Sequence, residues 1–364
     1  MTIRVNPDMV ILAREYRGLT QEQLGRALGV TQAKVAKIEG GLQIDVSEAQ
    51  AELLCDALSF PVKFFQQNEE LLGWGSSAYY YRKKASITAV DRKRIQGQVN
   101  ICRIHLKKLL QSVEIEANRK LPILDIEDEF GGSPVQAARA MRTFWGLPDG
   151  PIKNVTALIE SAGVIVVPMD FGTNSIDATS IRLAEIPPII FISTRIPSDR
   201  WRWTLAHELA HLLIHEVPNE VMEDQADAFA AEFLLPEIEL KPQFARIGKI
   251  RLQDLANLKP YWKVSMQALL MRATGLGSLQ KNEAQYLWMQ INKLNFRTNE
   301  PNPLPKEAVK TYPAIVTFFE EEMKYSKEEL ASVLNVTPRE LELLHGASGA
   351  WKMNQPALRI VPAS

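Results

Sequence analysis

The sequence predicts an α+β fold that is mostly helical, and three observations carry the prediction. Apolar residues recur at helical spacing over most of the 364 residues, with Ser, Thr or Asn opening several of the runs and Gly closing them. Strand-like runs rich in Val and Ile are confined to one short region, residues 163–193. Close behind them lie residues 204–215, rich in Leu and Ala and free of Pro and Gly, which read as a buried helix. The expected order is an N-terminal helix-turn-helix bundle over residues 1–70 and a basic helical linker over 71–130. A domain holding the small sheet and the buried helix over 131–276 and a helical C-terminal region over 277–364 follow.

Composition bounds the setting. A hydrophobic content of 46% with a net charge of -1 describes a globular chain with room for two or three cores. No basic start leads into an apolar run, and no stretch of about 18 uncharged apolar residues occurs, so a cytoplasmic protein with no membrane partner is expected. Cys55 and Cys102 lie far apart, without the spacing of a disulfide frame or a thiolate metal site; Cys55 reads as helix core.

Residues 9–17 form a first helix, ended by Gly18. Thr20 opens a second that Gly29 closes, and Thr31 opens a third that Gly40 closes. Two short helices across a tight Gly-containing turn make a helix-turn-helix, with residues 46–58 and 61–65 as supporting helices. Over residues 8–66 the sequence resembles the Xre/Cro-like repressor domain. That resemblance implies a third helix lying in the DNA major groove. Gln32 there suits adenine, Lys34 guanine or phosphate, and Gln21 and Lys37 phosphates. The alternative is a bundle used only for protein docking, and the slightly acidic balance of residues 1–66 favours it, whereas the recognition surface itself is polar and locally basic.

Tyr79 opens a basic stretch in which Asp91 is the only acid as far as Leu110, with Ile95, Val99, Ile101, Leu106 and Leu109 as its apolar side. It reads as a connector with a DNA-facing edge. An acidic segment, residues 114–129, follows, and Gly131 and Gly132 mark a boundary. Ser133 caps a helix to Phe144, and Asn154 opens another to Ala162. Three strands come next, over residues 163–168, 178–183 and 188–193, the second suited as an edge strand to pair with an extended peptide.

His207 and His211 stand one turn apart on the buried helix, so their imidazoles can converge on one ion, and Glu208 falls beside that ion. A carboxylate so placed can take the proton of water that the ion has acidified to a pKa of roughly 7. The bland alternative is a core helix with two satisfied histidines. Against it stands the next helix, where Glu223 and Asp227 share one side of an otherwise apolar surface, as a cation would require. With Arg202-Trp203-Thr204-Leu205-Ala206 ahead of the His-Glu-x-x-His motif, and Ala226, Asp227, Phe229, Ala230, Ala231, Glu232 and Pro236 behind it, the sequence resembles the ImmA/IrrE metallo-endopeptidases. The resemblance implies a gluzincin-like peptidase domain binding one zinc ion per chain through His207, His211 and Glu223, with Glu208 as catalytic base. Asp227 fits a hydrogen bond to a ligand histidine. His215 lies a further turn on, and the Gly turn that brings round a third histidine in metzincins is missing, so it is expected to pack or to support a ligand. Glu216 and Glu232 are expected to be solvated, Glu232 being the runner-up ligand.

Ser265 opens one more helix through Met271. Further on, residues 326–346 repeat the pattern of residues 20–40, with Asn335 in the place of Gly29. Where the first copy has Gln32, Lys34 and Lys37, the second has Pro338, Glu340 and Leu343, a set suited to structural or protein-docking helices. The end of the chain, with Pro356 and Pro362, reads as a loose tail.

The function these features imply is DNA-binding transcription regulation joined to a zinc-dependent endopeptidase. The family resemblance implies a repressor or antitoxin as its substrate, in stress response, mobile-element or toxin-antitoxin control. Expected partners are operator DNA, that protein substrate and a second copy of the chain as a homodimer. The alternative is a regulator in which the peptidase fold senses or dimerises without hydrolysis.

Overall fold

The N-terminal helices form where their caps and glycines dictate. In the computed structural model, which describes residues 2–73, 87–346 and 359–362, α1 (Pro7–Tyr16) is followed by α2 (Gln21–Ala27) and α3 (Gln32–Glu39). Thr20 and Thr31 cap α2 and α3 by accepting from Gln23 N and Lys34 N, bonds worth about 1 kcal/mol each. A Cβ on Gly25 would sit 2.9 Å from Val30 O, so only glycine lets α2 close on the turn that feeds α3. Arg14, buried, ties α1 to α3 through Glu39 at 2.5 and 2.9 Å. The short strand β1 (Thr2–Arg4) pairs antiparallel with β2 (Asp45–Ser47), so Val46, which the sequence places at a helix start, is a strand residue. Ser47 takes over as the cap of α4 (Glu48–Leu58), and α5 (Val62–Phe65) completes the bundle.

Helix α6 (Ala89–Leu109) runs against α1, and a Cβ on Gly97 would meet the Tyr16 backbone at 2.9 Å. Several of its cations are engaged within the chain: Lys93 with Glu15 at 2.8 Å, Arg103 with the Glu70 carbonyl at 2.7 Å and Lys107 with Glu185 at 2.8 Å. The basic residues Arg82, Lys83 and Lys84 lie outside the described residues. Strand β3 (Val113–Glu116) follows, then α7 (Ile126–Phe130), α8 (Pro134–Phe144) and α9 (Val155–Ser161).

The sheet has the order β4-β6-β5, with β4 (Ile165–Met169) parallel and β5 (Ala178–Ile181) antiparallel to the central β6 (Ile189–Ser193). Against it packs α10 (Ser198–Ile214), which carries the two histidines, and α11 (Met222–Leu234) packs in turn on α10 and α8. Three more helices close this part: α12 (Glu237–Ile247), α13 (Leu252–Trp262) and α14 (Met266–Gly275). Residues beyond Gly277 bind back onto it. After α15 (Lys281–Lys293), Glu300 accepts from Met266 N and Gln267 N at the start of α14, at 2.7 and 3.2 Å. Glu307 does the same for Val155 N and Thr156 N of α9, at 3.1 and 2.8 Å.

Helix α16 (Thr311–Glu321) leads to α17 (Lys327–Leu334) and α18 (Pro338–His345), the repeat of the helix-turn-helix pattern. Asn335 has φ 56°, the left-handed turn that Gly29 makes at 64°. The pair packs on the N-terminal bundle: Glu340, 2% exposed, accepts from Tyr16 Oη at 2.9 Å and from Arg17 Nη2 at 2.6 Å. The chain end is not a loose tail over residues 359–362. There β7 (Arg359–Pro362) pairs antiparallel with β3, satisfying backbone groups that β3 would otherwise leave open. Pro356 lies outside the described residues.

Candidate metal centre

Helix α10 is buried on almost every side, with His211 enclosed and His207 half-buried. The Nε2 atoms of His207 and His211 stand 3.1 Å apart. Glu223, from the first turn of α11, places Oε2 3.2 Å from His207 Nε2 and Oε1 3.4 Å from His211 Nε2. Among the described residues this is the only group of three or more His, Cys, Asp or Glu side chains that could hold a metal ion, its donor atoms lying within 4.8 Å of one another.

The remaining ring nitrogens are fixed from behind. Asp227 Oδ1 lies 2.9 Å from His207 Nδ1, so that nitrogen donates and Nε2 keeps its lone pair toward the site. His215, at the C-cap of α10, places Nδ1 2.9 Å from His211 Nδ1, and its own Nε2 lies 3.0 Å from Gln225 Oε1. With Gln225 accepting from His215 Nε2, His215 Nδ1 is the acceptor for His211 Nδ1–H, and His211 Nε2 is left as a free donor atom. Gln225 was not singled out in the sequence. Two residues from both Glu223 and Asp227, it stands on another side of α11, and only the fold brings it to His215.

The electrostatics suit a cation. Burial opposes protonation of His207, but the Asp227 and Glu223 carboxylates outweigh it and raise its pKa to about 10. Burial would likewise raise Glu223, yet the His207 imidazole bonded to it and the His211 imidazole close beside it bring it down to about 2. His215 is pushed down to about 4 by burial and then by His211, which keeps it neutral in its relay. Two buried carboxylate oxygens, Glu208 Oε2 and Glu223 Oε1, have no hydrogen-bond partner. Two imidazole lone pairs, a carboxylate and unpaired oxygens fit zinc held in an open site.

These residues line a cleft of about 740 Å³ that also takes in Ala178 of the edge strand β5, Trp203 and Met271. Glu216 is exposed, as expected. Glu232 is not solvated and does not approach the site: it is 1% exposed, bonded to Arg139 Nε at 2.7 Å and paired with Arg272. Nine residues after Glu223 it stands half a turn round α11, facing α8 and α14.

In the N-terminal domain Gln32 and Lys37 of α3 are exposed and Lys34 is half-buried. Gln21 is engaged on both sides, donating to Glu39 Oε2 at 2.8 Å and accepting from Gln32 Nε2 at 2.7 Å.

The fold and the site together define a helix-turn-helix domain joined to a metallopeptidase-like domain. Residues 159–274 match the family model of the IrrE N-terminal-like domain, a peptidase family that is generally zinc-dependent, and residues 12–63 match that of a helix-turn-helix domain. The chain therefore has the fused architecture of helix-turn-helix and ImmA/IrrE-type domains. A search of curated proteins finds no match. No helix among the described residues is long and apolar enough to cross a membrane.

Proposed function

We propose that the chain is a DNA-binding regulator whose second domain is a zinc-dependent endopeptidase acting on a repressor or antitoxin. The observation that carries the peptidase reading is the Glu208 carboxylate: it is 4% exposed, Oε2 has no hydrogen-bond partner, and it opens into the same cleft as the three converging donors. His207, His211 and Glu223 would hold the zinc ion, which when bound supplies a Lewis acid that polarises a carbonyl and acidifies water. Glu208 takes the proton of the attacking water and returns it to the departing amine nitrogen. Asp227 and the pair His215 and Gln225 keep each histidine in the tautomer that faces the ion. The edge strand β5 gives the substrate backbone a surface on which to lie extended.

The test is a pair of substitutions assayed against products of the neighbouring genes, with and without a chelator. Glu208→Gln is expected to keep zinc and lose cleavage by at least about 100-fold, and His207→Ala to lose zinc. Cleavage at the wild-type rate by the Gln variant would remove Glu208 from the role.

For DNA, Gln32, Lys34 and Lys37 on α3 support groove contact, with Gln21 holding Gln32 in place. Gln32→Ala combined with Lys34→Ala should weaken binding to DNA from the chain's own promoter region by roughly 10-fold or more while zinc content stays constant. Unchanged affinity would exclude α3 as the reader.

A further inference from the structure

Residues outside the segment that matches the peptidase family complete one wall of the cleft. Trp288 of α15 and Arg297 of the loop behind it line the same cavity as His207, Glu208, His211 and Glu223. The loop is anchored from below by a buried charge node. Lys259, 0% exposed, reaches Asp199 in the first turn of the histidine helix at 2.5 Å and Glu300 at 3.0 Å. Glu300 in turn caps α14, and Gln267 Nε2 donates to the Phe296 and Arg297 carbonyls at 3.4 Å each. The backbone that carries Arg297 is thus tied to the helix that carries the site.

The Arg297 side chain is itself splinted. Its guanidinium carbon lies 5.5 Å from the centre of the Trp288 ring, and Nε donates to Asn292 Oδ1. Those contacts use the stem side of the guanidinium and leave the outer fork, Nη1 and Nη2, without a protein acceptor among the described residues. The other arginine of the cleft, Arg200, differs: it is paired with Asp177. A planar fork held by an aromatic face beside a peptide-binding cleft is matched in shape and charge by a carboxylate, which it can grip with two parallel bonds.

We propose that Arg297 is a specificity-determining residue that binds a carboxylate of the substrate, with Trp288 and Met271 taking an apolar side chain next to it. The proposal rests on the peptidase reading for the word substrate, but Arg297 binds the carboxylate whether or not the bond is cut. That carboxylate belongs either to an Asp or Glu side chain or to a chain terminus.

The experiment uses the zinc-loaded full chain carrying Glu208→Gln as a capture reagent for a peptide library made by digesting a proteome. It is run with free and with amidated C-termini, and a parallel arm digests the same library with the wild-type chain. Captured peptides are expected to be enriched roughly tenfold in Asp or Glu at one position, or in free C-termini, the two library arms telling these apart. Arg297→Glu on the same background should reverse the preference toward Lys and Arg at unchanged zinc content, and Arg297→Lys should keep it weakly. A purely structural role for Arg297 would lower all capture without reversing charge preference. Capture with no acidic preference, or the same preference in the Arg297→Glu chain, overturns the proposal. Acid-selective capture without any cleavage in the digestion arm overturns the peptidase reading and leaves Arg297 in place, and neither capture nor cleavage sinks both.

Discussion

Each histidine proposed to hold the metal is aimed by a side chain outside the proposed donor set. Asp227 accepts from His207 at 2.9 Å, and His211 is held by His215, itself held by Gln225. Since such supporting bonds typically govern 10–100-fold in metal affinity, Asp227→Ala and Gln225→Leu should each weaken zinc binding by about that factor, read by competition with a chelating dye. Gln225→Leu has a sharper consequence than Asp227→Ala. It removes the acceptor that sets the His215 tautomer, so His215→Ala combined with it should add little. Fully additive losses would mean that the relay does not operate. At this scale the approach of His207 to His211, with Glu208 beside them, was legible in the sequence, because an i, i+4 pair and its neighbouring acid are local facts, whereas Glu223 was implied only by the family resemblance. Glu232 was misread for a related reason: an acid on a helix looks solvated until Arg139 and Arg272, distant in sequence, are brought to it.

Between elements, the recurring device is a carboxylate from one segment seated at the N-terminus of another helix, where free N–H groups and the helix dipole favour it. Glu307 serves α9, Glu300 serves α14, and Glu160 of α9 serves α16 through Lys310 N at 2.9 Å and Thr311 N at 2.7 Å. Glu160 is the costly case. It is 0% exposed, Oε2 has no partner, and burial raises its pKa to about 7 against the pull of the Thr311 and Lys310 amides. With the folded pKa above the ordinary one of 4.5, the native state holds the proton longer than the unfolded chain, so stability falls as pH rises from about 4.5 to about 7. Glu160→Gln, which cannot ionise, should cancel a decline on the order of 2–3 kcal/mol between pH 5 and pH 8, seen as the difference between the two denaturant curves. Equal slopes for the two proteins would refute the assignment. The helices themselves were readable, because Thr20, Thr31, Ser133, Asn154 and Ser265 announce their caps locally. What local pattern could not show was which carboxylate, some 150 residues away, would meet which helix start, or that residues 359–362 would find the edge of β3.

Over the whole molecule, the repeated helix pair has become a brace between the two ends of the chain. In the first copy the third helix presents Gln32 and Lys37 outward; in the second, the corresponding helix turns Glu340 inward onto α1. Both the Tyr16 hydroxyl and Arg17 Nη2 donate to that one buried carboxylate, while Arg17 Nε is held by the Leu58 carbonyl at 2.8 Å, and the Tyr16 pKa is driven up by burial and then by Glu340. A second buried bond lies nearby, where His105 of α6 and His345 of α18 share a hydrogen bond of 2.8 Å, so α18 is fixed to the connector as well as to the bundle. Removing Glu340 strands two donors at once. Glu340→Ala should therefore cost roughly 1–3 kcal/mol, discounted from the figure for a fully buried pair because Arg17 keeps 22% exposure. The loss has a predicted geography. Hydrogen exchange should quicken in α18 and in α1 together, while α10 and α11, which take no part in the brace, keep their protection. A loss confined to α18 would mean that the bundle stands without its brace, whereas equal loosening of α10 would mean that the helix-turn-helix and the candidate metal centre unfold as one unit.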